Sequence, residues 1–164
     1  MAIYLLGTFS GIIVALVASI VLMPQMGRLF FVKDKSLLAF DETVAKLREN
    51  CKADKEWHLL QEKDYNKSYQ KAGKEEMDFR LVEFKLGNPK QSYSVNCENP
   101  AVCTFMPAAI AVTGYKDGSV LIYRKNTTLM GNMFNGVVKR VMRDQVMIGL
   151  DKILDGIIKK QKRR

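Results

Sequence analysis

The chain has 164 residues, 48% of them hydrophobic, with one histidine, three cysteines and a formal net charge of +9. A single histidine excludes a His-rich metal centre within one chain, three cysteines exclude a disulfide framework, and the lack of a Cys-x-x-Cys-His run excludes c-type haem attachment. No Gly-rich phosphate loop and no Gly-x-Ser-x-Gly elbow occurs, so nucleotide-binding and serine-hydrolase signatures are missing.

Ala2 to Met23 contains no charged residue, and Ile12 to Leu22 is almost continuously apolar. As a helix this stretch reaches about 33 Å, the thickness of a bilayer's hydrocarbon core. It is read as one transmembrane anchor. A cleaved signal peptide fits less well: no Lys or Arg precedes the apolar run, the run exceeds a signal core, and no Ala-x-Ala site closes it. Gly7 and Gly11 would permit a close helix contact, but two glycines tolerated in lipid is the simpler reading. Pro24 ends the helix, and Arg28, Lys33 and Lys35 follow at the interface, so residues 1–35 form the anchor and juxtamembrane segment. Basic residues on that side favour a cytoplasmic domain.

Residues 36–158 make one domain of ordinary size. Ser36 to Phe40 is an apolar run read as the edge of the first strand. Asp41 stands where an N-cap belongs, and Glu42 suits the first turn. Phe40, Val44, Leu47 and Cys51 then recur at helical spacing, predicting a helix over 42–53 with Cys51 a buried thiol. Trp57 to Gln61 reads as a strand, with His58 facing solvent or a polar neighbour. Asp64 to Ala72 is a short helix closed by Gly73. Phe79 to Leu86 is a strand with Val82, Phe84 and Leu86 on one face. In Gly87-Asn88-Pro89, Asn is a good N-cap and Pro suits the first helical position, so a helix is expected from Pro89 to about Asn96. Pro100 ends the irregular segment behind it. Met106-Pro107 leads into a buried strand, Ala108 to Val112. Lys116-Asp117-Gly118 marks a hairpin, and Val120 to Tyr123 is its partner strand. From Met133 to Ile158 the pattern is helical, with Gly149 and Gly156 as packing glycines. Residues 159–164 are a basic tail, a solvated helix end with anionic lipid as its next partner.

Strands and helices mix without βαβ regularity, and the last strand pair is antiparallel. The fold class is therefore α+β: a curved, mostly antiparallel sheet with helices on one face.

Over about Ser36 to Leu154 the chain resembles the Domain of Unknown Function 302 family. Phe40-Asp41-Glu42-Thr43-Val44 is similar to the family's first-helix entry, Asn88-Pro89 to its Asn-Pro step, and Pro100 and Pro107 fall at similar spacings behind it. Ala108 to Val112 with Asp117-Gly118 resembles its hairpin, and Asn126 to Met130 the segment before its last helix. The family commonly carries Cys before the Asn-Pro step and after the later Pro. Here those positions are Gly87 and Ala108, a departure that weakens any thiol or metal role taken over from the family. The resemblance implies a TATA-binding-protein-like fold, a homodimer and, for an anchored chain, a periplasmic domain. It implies no established reaction.

Cys97 and Cys103 could form one bridge, hold a soft metal such as Cu(I), or act as a redox pair. The plainer reading is two unrelated core thiols. A zinc site from Cys51, His58, Cys97 and Cys103 lacks the close Cys pairs such sites use. Met130, Met133, Met142 and Met147 read as core packing rather than copper handling. Scattered lysines without an aromatic reader motif argue against nucleic acid. The expected function is a membrane-anchored, non-enzymatic accessory or ligand-binding module, possible as a homodimer or as a single-span subunit of a larger membrane complex. The alternative is a periplasmic redox or soft-metal protein using Cys97 and Cys103.

Overall fold

The computed structural model describes residues 27–159 together with Ile20. The expected anchor, Ala2 to Met23, and the tail beyond Lys159 lie outside the described residues, Ile20 apart. Among the described residues no helix is long and apolar enough to cross a membrane.

Alternation of side chains builds the centre of the molecule. β3 (Phe79–Gly87) turns Val82, Phe84 and Leu86 to one side, and β4 (Ala108–Tyr115) turns Ile110 and Val112 to the same side. Their register runs from Phe79 opposite Tyr115 to Leu86 opposite Ala108. The tight turn at Lys116-Asp117-Gly118, with Gly118 at φ +80°, returns the chain as β5 (Val120–Lys125). β2 (His58–Asp64) edges β3, and β1 (Phe31–Lys35) edges β5, giving the antiparallel order β1-β5-β4-β3-β2. Where β2 stops, the Asn66 side chain bonds Phe79 O and Leu81 N and continues the pairing.

One face of this sheet carries the core. α1 (Phe40–Ala53) lays Phe40, Val44, Leu47 and Cys51 on it, and the C-terminal segment adds Leu150, Ile153, Leu154 and Ile157. The short α2 (Tyr65–Lys71) follows β2. A second cluster, Val95, Val102, Met130, Val138, Val141 and Met142, lies among α3 (Pro89–Glu98), a 3₁₀ segment (Pro100–Phe105), α4 (Thr127–Gly131) and α5 (Gly136–Arg140). α5 runs through a π-helical stretch, Val141–Val146, into α6 (Met147–Ile153). Val146 packs against both clusters.

Four expectations need correction. The first strand is Phe31–Lys35, ahead of Ser36–Phe40. Its Lys33-Asp34-Lys35 run hides the strand pattern, because the inward position is a carboxylate. Buried Arg124 on β5 donates to Asp34 at 2.8 Å and also to Asp151 on α6. Secondly, Asp41 is not the cap of α1: the cap position is Ala39, whose N–H is taken by Glu42. Ser36 and Thr43 lock that entry, hydroxyl to hydroxyl at 2.7 Å, while Asp41 pairs with Arg80. Thirdly, the last helix spans 136–153. Gly156, at φ +75°, lets the chain turn so that Ile157 reaches the core and Ile158 bridges Ser36. Gly156 is therefore a turn glycine, not a packing one. Fourthly, Pro100 opens a 3₁₀ segment rather than ending an irregular one.

Arg124→Met leaves Asp34 buried without its arginine and is expected to cost about 3–5 kcal/mol, read as a lowered urea midpoint. Lys46→Ala, which breaks an exposed pair with Glu49, should leave that midpoint nearly unchanged.

Candidate functional site: a cavity at the end of the sheet

β3 runs into α3 with no loop between them. Asn88 caps the helix, its Oδ1 accepting from Gln91 N at 3.1 Å, and Pro89 takes the first helical position, where no N–H is needed. The first turn of α3 thus stands over the end of the sheet. Asn99 then caps the 3₁₀ segment through Ala101 N. The cis Met106–Pro107 peptide returns the chain to β4, beside β3. Lys125 and Thr127 close the opposite side, where β5 gives way to α4, and the π-helical stretch lies across them. Gly131 allows that close approach: a Cβ there would lie 2.8 Å from Arg143 N.

These surfaces enclose a cavity of about 350 Å³. Leu86, Val95, Val102, Met142 and Leu150 form much of its wall. Val141, Met142 and Val146 of the π-helical stretch face it as well, and such stretches recur at functional sites. Leu60 and Phe105 also line it, yet are 62% and 42% exposed, so the cavity reaches the surface there.

The polar groups are few and unusual. Gln91 and Thr127 line the cavity, and Gln91 Oε1 and Thr127 Oγ1 are buried without a hydrogen-bond partner. Buried polar atoms are normally satisfied, and leaving one unpaired costs about 1–3 kcal/mol. Lys125 Nζ donates to Phe105 O at 2.7 Å and Pro107 O at 3.5 Å. Burial holds its pKa below the ordinary lysine value, with Glu83 opposing the drop. Asn88 is buried and committed to its cap. Among the described residues no Asp, Glu, His or Cys stands in the wall. Trp57 lines the cavity too, but its unpartnered Nε1 lies against Gly149, where a Cβ would collide with it. Gly149 is thus a packing glycine, as expected.

The structure brings some of the sequence candidates together and scatters others. Asn88 and Pro107 line the cavity, while Pro89 and Pro100 begin the helical segments that shape it. Gly87 and Ala108, the positions where the resembling family carries cysteines, both stand in the wall. A Cβ on Gly87 would lie 2.9 Å from the Leu60 side chain, so Leu60 fills the space a larger residue there would need. Cys97 and Cys103 are exposed and unbridged rather than core thiols, and neither lines the cavity. Among the described residues no three His, Cys, Asp or Glu side chains are grouped to hold a metal. Cys51 is buried, and burial pushes its thiol up to about 11. His58 is exposed on β2. Met130, Met142 and Met147 are core residues as expected, but Met133 is 69% exposed. Gln91, Lys125 and Thr127 were not singled out from sequence, since nothing in their spacing marks them.

Fold and cavity together define an α+β domain with a pocket between the sheet end and a helical layer. A model of the family described as Domain of unknown function DUF302 matches residues 32–157, and the chain belongs to that family. The crystal structure of an uncharacterized conserved DUF302 protein from Bacillus stearothermophilus is similar in fold, with TM-score 0.62 at 21% sequence identity. The likeness covers 76% of this chain and 98% of that one. No curated protein matches the chain.

In native protein Cys97 and Cys103 should react at once with an aromatic disulfide reagent at pH 8, while Cys51 reacts only after denaturation. Three fast thiols would contradict the burial of Cys51. Gly149→Ala should destabilise by about 1–3 kcal/mol through its clash with Trp57, despite the helix propensity gained, and should shift the tryptophan emission.

Proposed function

We propose that the domain is a ligand-binding module, tethered by residues 2–23 to the membrane and facing the periplasm as the family resemblance implies. The ligand enters the cavity at the end of the sheet. One observation carries this reading: a largely apolar cavity that reaches the surface and keeps two buried polar atoms, Gln91 Oε1 and Thr127 Oγ1, without protein partners. An apolar pocket with a few convergent polar groups is the usual form of a small-molecule site. A 150 Å³ cavity accepts benzene, so this one suits a molecule of about ten to fifteen non-hydrogen atoms. A tether at the membrane, if residues 2–23 provide one, would suit the same reading, because apolar ligands of that size concentrate there. Among the described residues the wall holds no carboxylate or imidazole to serve as a partner base for Lys125 or Ser92, a lining suited to binding.

Trp57 is the chain's single tryptophan and lines the cavity, so its emission reports occupancy. Titrating the full chain in lipid nanodiscs with 4-phenylbutanol should give a saturable change. Ala109→Phe, which places a ring in the wall, should weaken that binding about ten-fold. An absent or non-saturating change, or unaltered affinity in a folded Ala109→Phe variant, would remove the cavity from consideration.

A further inference from the structure

We propose that the cavity selects apolar molecules carrying one negative charge, a medium-sized carboxylate above all, and that the Lys125 ammonium is the group that recognises the charge. This rests on the reading of the cavity as a ligand site and adds its chemical class.

Among the described residues Lys125 is the one charged side chain in the wall, and no Asp or Glu stands there to balance it. Among the described residues it forms no ion pair with a carboxylate; Glu83, the acid that acts on it, is bonded by Tyr65 and paired with Lys85 and does not line the cavity. An ammonium has three N–H donors. Two are directed to Phe105 O and Pro107 O, which leaves one. Those carbonyls also fix the head of the side chain beside Phe105, where the cavity reaches the surface. The charge is thus held at the mouth while Val95, Val102 and Leu150 line the apolar body, an arrangement that matches an amphiphile with one anionic end. Thr127, two residues further along, stands in the same wall, its own hydroxyl buried and unpartnered. A half-buried cation without a carboxylate disfavours a cationic ligand and strengthens the attraction for an anionic one.

The test compares three ligands of one body, 4-phenylbutanoate, 4-phenylbutanol and 4-phenylbutylamine, by Trp57 emission on the full chain in zwitterionic nanodiscs. The carboxylate should bind about ten-fold more tightly than the alcohol, and the amine more weakly than either. In Lys125→Met the carboxylate should lose its advantage over the alcohol, and in Lys125→Arg retain most of it. A carboxylate no tighter than the alcohol, or an advantage that survives in Lys125→Met, overturns the role of Lys125 and leaves the cavity reading standing. Binding of none of the three overturns both. Should Lys125→Met fail to fold, the order of the three ligands on the wild-type chain decides the proposal alone.

Discussion

The arrangement depends on Arg124. Its guanidinium is fully buried, and two carboxylates hold it there: Asp34 from the edge strand β1 and Asp151 from α6. An unpaired charge in that position would be strongly unfavourable, so the pairings fix where β1 and α6 must lie relative to β5. They fix something else by alternation. With Arg124 turned inward, Lys125 turns to the other side just where β5 ends, and there it meets the Phe105 and Pro107 carbonyls. The cation in the core and the cation at the cavity are consecutive residues with opposite surroundings: one is neutralised by protein carboxylates, the other is bonded to neutral carbonyls.

That pairing also explains which parts of the fold were legible in the sequence. β3, β4 and β5 bury Val, Ile, Leu and Phe, so their period is written in hydrophobicity and the expected strands lie within the observed ones. The Asn88-Pro89 entry and the Asp117-Gly118 turn are local chemistry and were equally readable. β1 was not, because its inward residue is Asp34, whose burial makes sense only beside an arginine 90 positions away. Asp41 failed as a cap for a related reason: the helix entry is held by Ser36 and Thr43, and Asp41 is engaged by Arg80 on β3. The candidate site was half legible. Asn88 and Pro107 were marked by the family resemblance, but Gln91 and Thr127 matter because they lack partners, and no sequence pattern shows the absence of a tertiary contact.

Gly87 and Ala108 put the family resemblance in physical terms. They lie at the sheet end, one on each of two paired strands, in the wall of one cavity. Where relatives place thiols on such positions, the wall would carry nucleophilic or metal-binding sulfur; here it carries a hydrogen and a methyl group, with Leu60 against the glycine. The chain's own exposed thiols, Cys97 and Cys103, lie off that wall and do not restore it. The same architecture therefore presents a surface suited to contact and burial, with Lys125 as its one charged group among the described residues.

The cavity also has an energetic argument behind it. Each unpartnered buried oxygen costs about 1–3 kcal/mol, against a net stability of about 5–15 kcal/mol for a domain of ordinary size. Leucine at 91 and valine at 127 would remove both losses at nearly the same side-chain volume. A chain under selection for stability alone has little reason to keep Gln91 and Thr127 beside an apolar cavity, and departures from local consistency concentrate where a protein works. Gln91 and Thr127 stand on one wall, near Lys125 and the π-helical stretch, while the unpartnered Arg124 Nε lies apart from it in the core. Two such residues on the wall of one surface-reaching cavity are the kind of departure from local consistency that a working site shows.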